Sequence, residues 1–147
     1  MVKKIFLLIC ALIIQISMIS CGTEDNKNQN FDYNNIRIKV FDVKDLNIIA
    51  NDIFTEYLNS FTKDTADNNR KLKNYKINKI EIRNESSSSF EFFADYSVQP
   101  VNIDAWLIAN GELSGDWVNN QNLFVEVNIN NDVYSIEKMG TSPIDVP

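Results

Sequence analysis

The segment "FEFFADYSVQP" (residues 90–100) alternates apolar and polar side chains along most of its length. A period of two residues predicts a β-strand with one face toward a core and the other toward solvent. The predicted core face holds Phe90, Phe92, Ala94, Tyr96 and Val98, and the predicted solvent face holds Glu91, Phe93, Asp95, Ser97 and Gln99.

Further strands are predicted on both sides of this segment. Residues 75–84 alternate in two phases, which a β-bulge near Asn78-Lys79 would reconcile, and "NESSSS" (residues 84–89) is a predicted hairpin tip. Later strands are predicted at "DAWLIANG" (104–111, ending in an Asn110-Gly111 turn), at "NLFVEVNIN" (122–130) and, after a tight turn, at "VYSIEKMG" (133–140). The inward residues of 122–130 are predicted to be Leu123, Val125, Val127 and Ile129.

The residues before these strands predict one short strand and one long helix. "NIRIKVF" (residues 35–41) has the period of a strand, and from Lys44 to about Thr65 apolar residues recur at helical spacing. Asp42 is the predicted N-cap, with Asp45 as its capping-box partner. This order predicts an α+β fold, with one long helix packed on a curved antiparallel sheet of about five strands.

The order of elements resembles the cystatin-like/NTF2-like class, in which a curved sheet wraps a helix and leaves a conical pocket. The resemblance covers residues 36–147. Asn110-Gly111-Glu112, Gly115-Asp116-Trp117 and Gly140-Thr141 are also similar to small uncharacterised domains of bacterial lipoproteins and secreted proteins. Both resemblances imply a fold rather than an activity.

The first 20 residues have the layout of a secretory signal peptide. "MVKK" supplies positive charge, and "IFLLICALIIQISMI" (residues 5–19) supplies an apolar run that is interrupted by Gln15. A transmembrane anchor is the alternative, but a span needs about 20 apolar residues and no basic stop-transfer cluster follows this run.

Ile19-Ser20-Cys21 resembles the lipobox of bacterial lipoproteins, although Met18 stands where Leu is usual. The resemblance implies cleavage between Ser20 and Cys21, lipidation of Cys21, and attachment to the extracytoplasmic face of the cell membrane. A disulfide is the alternative role for Cys21, but its only possible partner, Cys10, would be removed. The predicted organisation is a signal peptide at 1–20, a flexible tether at 21–35 and a single domain at 36–147.

Composition limits the classes of function. The 147-residue chain has a net charge of −6, and Lys138 is the only basic residue after Arg83, which argues against a nucleic-acid partner. The chain has no His, and both Cys residues lie in or beside the signal peptide. We therefore expect no Cys/His zinc site, no Ser-His-Asp triad, no catalytic thiol and no cofactor. The Asn-rich runs, such as "WVNNQN" (117–122), are attributed to coding bias and given no function.

The residues most suited to binding are acidic and aromatic. Acid and aromatic side chains in a cleft can bind sugar or peptide, although tryptophans are also ordinary core residues and Asn and Gly ordinary turn residues. The candidate binding residues are Asp95, Tyr96, Trp106, Glu112, Asp116 and Trp117.

These observations favour a non-catalytic binding or accessory domain for an envelope protein or a small ligand. The alternative is an NTF2-like hydrolase or isomerase in which carboxylates such as Asp95 face an inner pocket. A third hypothesis is a structural subunit of an envelope complex. An inner side filled by Phe90, Phe92, Tyr96 and the helix would argue against the enzyme.

Overall fold

The computed structural model describes residues 33–40, 44–106 and 110–144. The predicted signal peptide, Cys21 and most of the predicted tether lie outside these ranges. Tyr33–Asn35, the last residues of the predicted tether, form a 3-10 turn that contacts the final strand of the sheet. Within the described ranges, no helix combines the length and apolar character that a membrane crossing requires.

One helix packs against a curled antiparallel sheet, which confirms the predicted α+β class. The strand order is β1-β6-β5-β3-β2, and a short β4 pairs with β5 beyond the end of β6. The elements are β1 (Arg37–Lys39), α1 (Leu46–Ser60), β2 (Leu72–Glu85), β3 (Ser89–Pro100), β4 (Glu112–Ser114), β5 (Trp117–Asn130) and β6 (Val133–Gly140).

Helix α1 is shorter than its apolar pattern predicts. Its N-cap is Asp45, whose carboxylate accepts a hydrogen bond from the Asn47 N–H at 2.9 Å, so the prediction of Asp42 as the cap was wrong. The helix ends at Ser60 because local bonds satisfy its last carbonyls. The Ser60 hydroxyl donates to the Tyr57 carbonyl and the Thr62 hydroxyl to the Asn59 carbonyl.

The core lies between α1 and the inner face of β3, the face that points toward the helix. Phe54 of the helix makes edge-to-face contacts with Phe92 and Tyr96, at centroid distances of 5.9 and 5.3 Å. Burial of each large apolar side chain contributes about 1.5–3 kcal/mol to stability. All five predicted core residues of β3 are buried, which confirms the predicted core face: Phe90, Phe92, Ala94, Tyr96 and Val98.

The outer face of β3, which points away from the helix, is less exposed than predicted. Glu91 and Ser97 retain only 1% and 6% of their accessible surface. Glu91 is covered because the chain beyond β6 returns to it, and the backbone N–H of Ile144 donates to its carboxylate. Ser97 is enclosed by neighbouring strands.

The remaining strand and turn predictions have mixed outcomes. The predicted β2–β3 hairpin is confirmed, but its tip is shorter than the predicted residues 84–89 because β2 runs to Glu85 and β3 begins at Ser89. Strand β6 and the turn before it, where Asn131 has a φ of 55°, are also confirmed. The strand predicted at 104–111 is wrong for residues 104–106, which form a turn closed by a Trp106 N–H to Ile103 carbonyl bond. The Trp106 indole N–H donates to the Gln121 side chain, so the indole packs onto the sheet. The backbone of Trp106 is not paired with a strand.

Candidate functional site

Two strand irregularities converge on the same part of β3. On the β2 side, Asn78 is an extra residue between the pairs Ile77–Tyr96 and Lys79–Asp95, at the predicted bulge. On the β5 side, two asparagines oppose the single residue Ser97. β-bulges bend a strand and redirect side chains, and they are frequent beside functional sites.

The β5 irregularity consists of Asn119 and Asn120. Asn120 has a φ of 57°, in the left-handed region that non-glycine residues rarely adopt and that Asn tolerates best. Within the described ranges, the side chains of Asn119 and Asn120 take part in no hydrogen bond or ion pair. Their amides are therefore available to a ligand as donors and acceptors.

The β2 bulge orients a second amide. Asn78 Nδ2 lies 2.9 Å from Asp95 Oδ1 and 3.0 Å from Ser97 Oγ, so one amide nitrogen donates to both acceptors. These bonds hold the Asn78 side chain across the outer face of β3. Asp95 is half-buried and keeps its second carboxylate oxygen for other partners.

The β4–β5 hairpin forms the other wall of the site. Its turn places Gly115 at a φ of 63°, a conformation that glycine adopts without steric cost. Asp116 in the same turn accepts a hydrogen bond of 2.5 Å from Gln99 Nε2, which ties the hairpin tip to the end of β3.

Asn110 and Gly111 hold the start of this hairpin against β5. The Asn110 side-chain amide accepts from the Asn122 N–H at 3.1 Å and donates to its carbonyl at 2.9 Å, in the manner of a neighbouring strand. A Cβ on Gly111 would lie 2.8 Å from the Asn119 carbonyl oxygen and 2.7 Å from Gln121 Cγ. Only glycine allows this close approach of the two strands.

The two bulges and the β4–β5 hairpin border an open groove on the outer face of the sheet, with a volume of about 870 Å³. Its walls combine amides and hydroxyls with one indole, one aliphatic side chain, two carboxylates and one ammonium group. The lining residues are Lys76, Asn78, Asp95, Ser97, Glu112, Leu113, Ser114, Trp117, Asn119 and Asn120.

Three of the six predicted binding residues line this groove: Asp95, Glu112 and Trp117. Asp116 lies beside it and stabilises the hairpin.

The other two predicted binding residues lie elsewhere. Tyr96 is on the inner face, where burial and its contact with Phe54 make it a core residue. Trp106 makes an edge-to-face contact with Phe61 at 6.5 Å, just beyond the C-terminal end of α1.

A pair of acidic side chains is buried at a second place on the outer face. Glu91 and Glu126 are direct cross-strand partners, and each is at most 5% exposed. Lys138 Nζ lies 3.4 Å from Glu126 Oε2, but within the described ranges this buried oxygen accepts no hydrogen bond. Asn84 and the Ile144 N–H both donate to Glu91.

The inner side of the sheet holds desolvated tyrosines rather than carboxylates. Burial raises the pKa of Tyr57 to about 12 and raises the pKa of Tyr96 further still. Both phenols therefore remain neutral at ordinary pH. In the described ranges, no group of three or more Cys, Asp or Glu side chains is placed to hold a metal ion.

Sequence reasoning missed the asparagines that shape the groove. The phase change between Ile77 and Ile80 identified the bulge at Asn78 but not the direction of its side chain. Asn119 and Asn120 belong to the run "WVNNQN", to which the sequence analysis gave no function.

Comparison with known protein families, with curated proteins and with solved structures finds no match to this chain.

Proposed function

We propose that this protein is a non-catalytic binding domain and that the outer-face groove is its ligand site. The observation that carries the proposal is the convergence of two bulges on residues 95–97 of β3, which brings asparagine amides from two strands to one open groove. Asn120 holds a backbone conformation that costs free energy, and such strain is concentrated at functional sites.

The alternative, an NTF2-like enzyme with carboxylates in an inner pocket, has less support. The helix and the buried rings of Phe90, Phe92 and Tyr96 occupy the inner side of the sheet. Asp95 lies on the opposite face and is engaged by Asn78. Membership of the cystatin-like/NTF2-like class itself stays a proposal, supported by the order of one helix and a curled antiparallel sheet.

A ligand screen with the full chain in detergent tests the binding function. Thermal unfolding would be followed with amino acids, nucleotides, dipeptides and oligosaccharides. The groove variant combines Asn119→Ala with Asn120→Gly, which removes both amides and keeps a residue suited to positive φ. Asn128→Ala, at an exposed position of β5, is the matched control.

We expect at least one compound to raise the Tm of the wild type and of the control but not of the groove variant. No shift with any compound, or an equal shift in the groove variant, contradicts the binding site. Turnover of the bound compound contradicts the non-catalytic assignment.

We also propose that the protein is a lipoprotein attached through Cys21 to the extracytoplasmic face of the membrane. The support is the sequence Ile19-Ser20-Cys21 after an apolar run. Two long acyl chains hold a protein firmly at a bilayer, whereas one chain binds only marginally. Cys21→Ala should abolish incorporation of a labelled fatty acid and reduce membrane retention, with Cys10→Ala as the control. Unchanged labelling of Cys21→Ala would contradict the proposal.

A further inference from the structure

We propose that the groove binds a neutral or amino-sugar oligosaccharide, with Trp117 as the stacking platform and the asparagines as hydroxyl-binding groups. This inference rests on the proposed binding function and assigns its ligand class.

Trp117 provides a surface for a sugar ring. It is half-buried, lines the groove and lies at the first position of β5, where its cross-strand partner in β4 is Ser114. One face of a pyranose ring carries mainly C–H groups, and an indole would cover that face.

The amides provide matching polar contacts. An Asn side chain presents a donor and an acceptor side by side, which suits a pair of neighbouring sugar hydroxyls. The amides of Asn119 and Asn120 have no partner within the described ranges, and Asn78 is already oriented by two hydrogen bonds. A hydroxyl-rich ligand would satisfy these groups, whereas an apolar ligand would leave them desolvated and unpaired.

The charges of the groove select among sugars. Lys76 is the only basic residue of the lining, against Asp95 and Glu112. Two carboxylates would repel sulfated or uronic-acid chains, and they would attract the ammonium group of an amino sugar. The indole of Trp117 favours a cation as well. We therefore expect neutral and amino sugars to bind and polyanionic sugars not to bind.

The shape of the groove indicates a short chain of sugars. Its volume of about 870 Å³ is near the upper end of the ~300–1,000 Å³ range of small-ligand sites, and it opens to solvent along the sheet surface. An open groove leaves room for a ligand longer than one sugar. A tetrasaccharide is thus a suitable probe.

Tryptophan fluorescence of the full chain tests this inference. The chain has two tryptophans, so Trp106→Phe leaves Trp117 as the only indole emitter. The variant would be titrated with chitotetraose, its de-N-acetylated amino-sugar form, cellotetraose and maltotetraose. A sulfated heparin tetrasaccharide is the anionic control. We expect at least one of the first four probes to shift the Trp117 emission to shorter wavelength in a saturable manner, and the heparin probe to cause no shift.

Calorimetry on the Trp117→Ala and Asn128→Ala variants separates stacking from other effects. Loss of an aromatic anchor should weaken binding at least about tenfold, whereas the control should bind as the wild type does. If none of the four probes binds, or if Trp117→Ala binds unchanged, the oligosaccharide inference is wrong. If compounds other than sugars bind and the Asn119/Asn120 variant loses them, the proposed binding function survives without this inference. If no compound class depends on the groove, both fail.

Discussion

Asn78 and Asp95 are joined across the β2–β3 bulge by a hydrogen bond of 2.9 Å, and Asn78 also donates to Ser97. The bond links the irregular position of one strand to the centre of the next. These hydrogen bonds fix the Asn78 side chain on the outer face of the sheet, at a position where the strand pairing is interrupted. The proposed binding site depends on this polar surface.

Removing this amide should weaken binding more than folding. Asn78→Ala loses one exposed and one partly buried hydrogen bond, and we expect a decrease of about 0.5–1.5 kcal/mol in the free energy of unfolding, measured with urea. Asn78→Asp should cost more because it places a carboxylate beside Asp95. Asn128→Ala is the control for loss of an exposed asparagine. A control that is as destabilised as Asn78→Ala would show that the bulge network has no special role.

The close approach of Gly111 to β5 predicts that alanine substitution of the glycines lowers stability by different amounts. Gly111→Ala would place Cβ within 2.8 Å of Val118 Cγ1, and we expect a loss of about 1–3 kcal/mol in unfolding free energy. Gly115→Ala meets no atom within 4 Å but keeps a φ of 63°, so we expect a loss of about 1 kcal/mol. Gly140→Ala has its nearest neighbour at 3.7 Å and should change stability by less than about 0.5 kcal/mol. A reversed order for Gly111 and Gly140 would contradict the packing described for the hairpin.

The contact between Glu91 and the Ile144 N–H predicts local protection of the chain after β6. Glu91→Ala removes the acceptor, so the Ile144 amide should exchange its hydrogen at least about tenfold faster, because protection of an amide from exchange depends on its hydrogen bond. Glu137→Ala removes an exposed carboxylate of β6 and should leave that exchange unchanged. Nuclear magnetic resonance or mass spectrometry can follow the exchange. Equal rates in both variants would mean that Glu91 does not hold this segment.

Partial desolvation of Tyr57 and burial of Tyr96 predict a loss of stability in alkali. The Tyr57 phenol has a pKa of 10.0 when unperturbed and about 12 in the folded protein. Between these values the unfolded chain has released the proton and the folded chain retains it. Stability is therefore intact below pH 10 and falls by about 1.4 kcal/mol per pH unit above it for this group alone. The raised pKa of Tyr96 also lowers the stability of the folded protein in alkali.

Urea unfolding at about pH 9 and pH 11.5 on wild type and Tyr57→Phe measures this difference. The variant should lose less stability than the wild type over that interval. Parallel pH dependence of the two proteins would contradict the assigned environment of Tyr57.

Much of the fold was predictable because the alternation of hydrophobic residues along a strand indicates which face of the strand is buried. The alternation from Phe90 to Val98 identifies the core face, and the change of phase after Ile77 identifies the β2 bulge. The β5 bulge could not be predicted in this way. Residues 119–122 are all polar, so they show no apolar alternation whose shift would mark the bulge. Grouping Trp106 with Trp117 failed for a related reason: the turn at residues 103–106 directs the first tryptophan toward the end of the helix.

The burial of Glu91 had no sequence signal either. It results from a contact between Glu91 and Ile144, far apart in the chain, and neither residue belongs to a recognisable motif. Pattern reasoning assigns a face to each strand residue, but it does not show which later segment covers that face.

The groove flanked by the two bulges is the proposed ligand site, and the side-chain amide resonances of its asparagines report directly on binding. The full ¹⁵N-labelled chain in detergent would be titrated with the tetrasaccharide that shifts the Trp117 emission most. We expect saturable shifts of the Asn78, Asn119 and Asn120 side-chain amides, while the Asn128 amide stays in place. Shifts confined to residues on the helix side, or no shift in any of the three groove asparagines, would contradict the account.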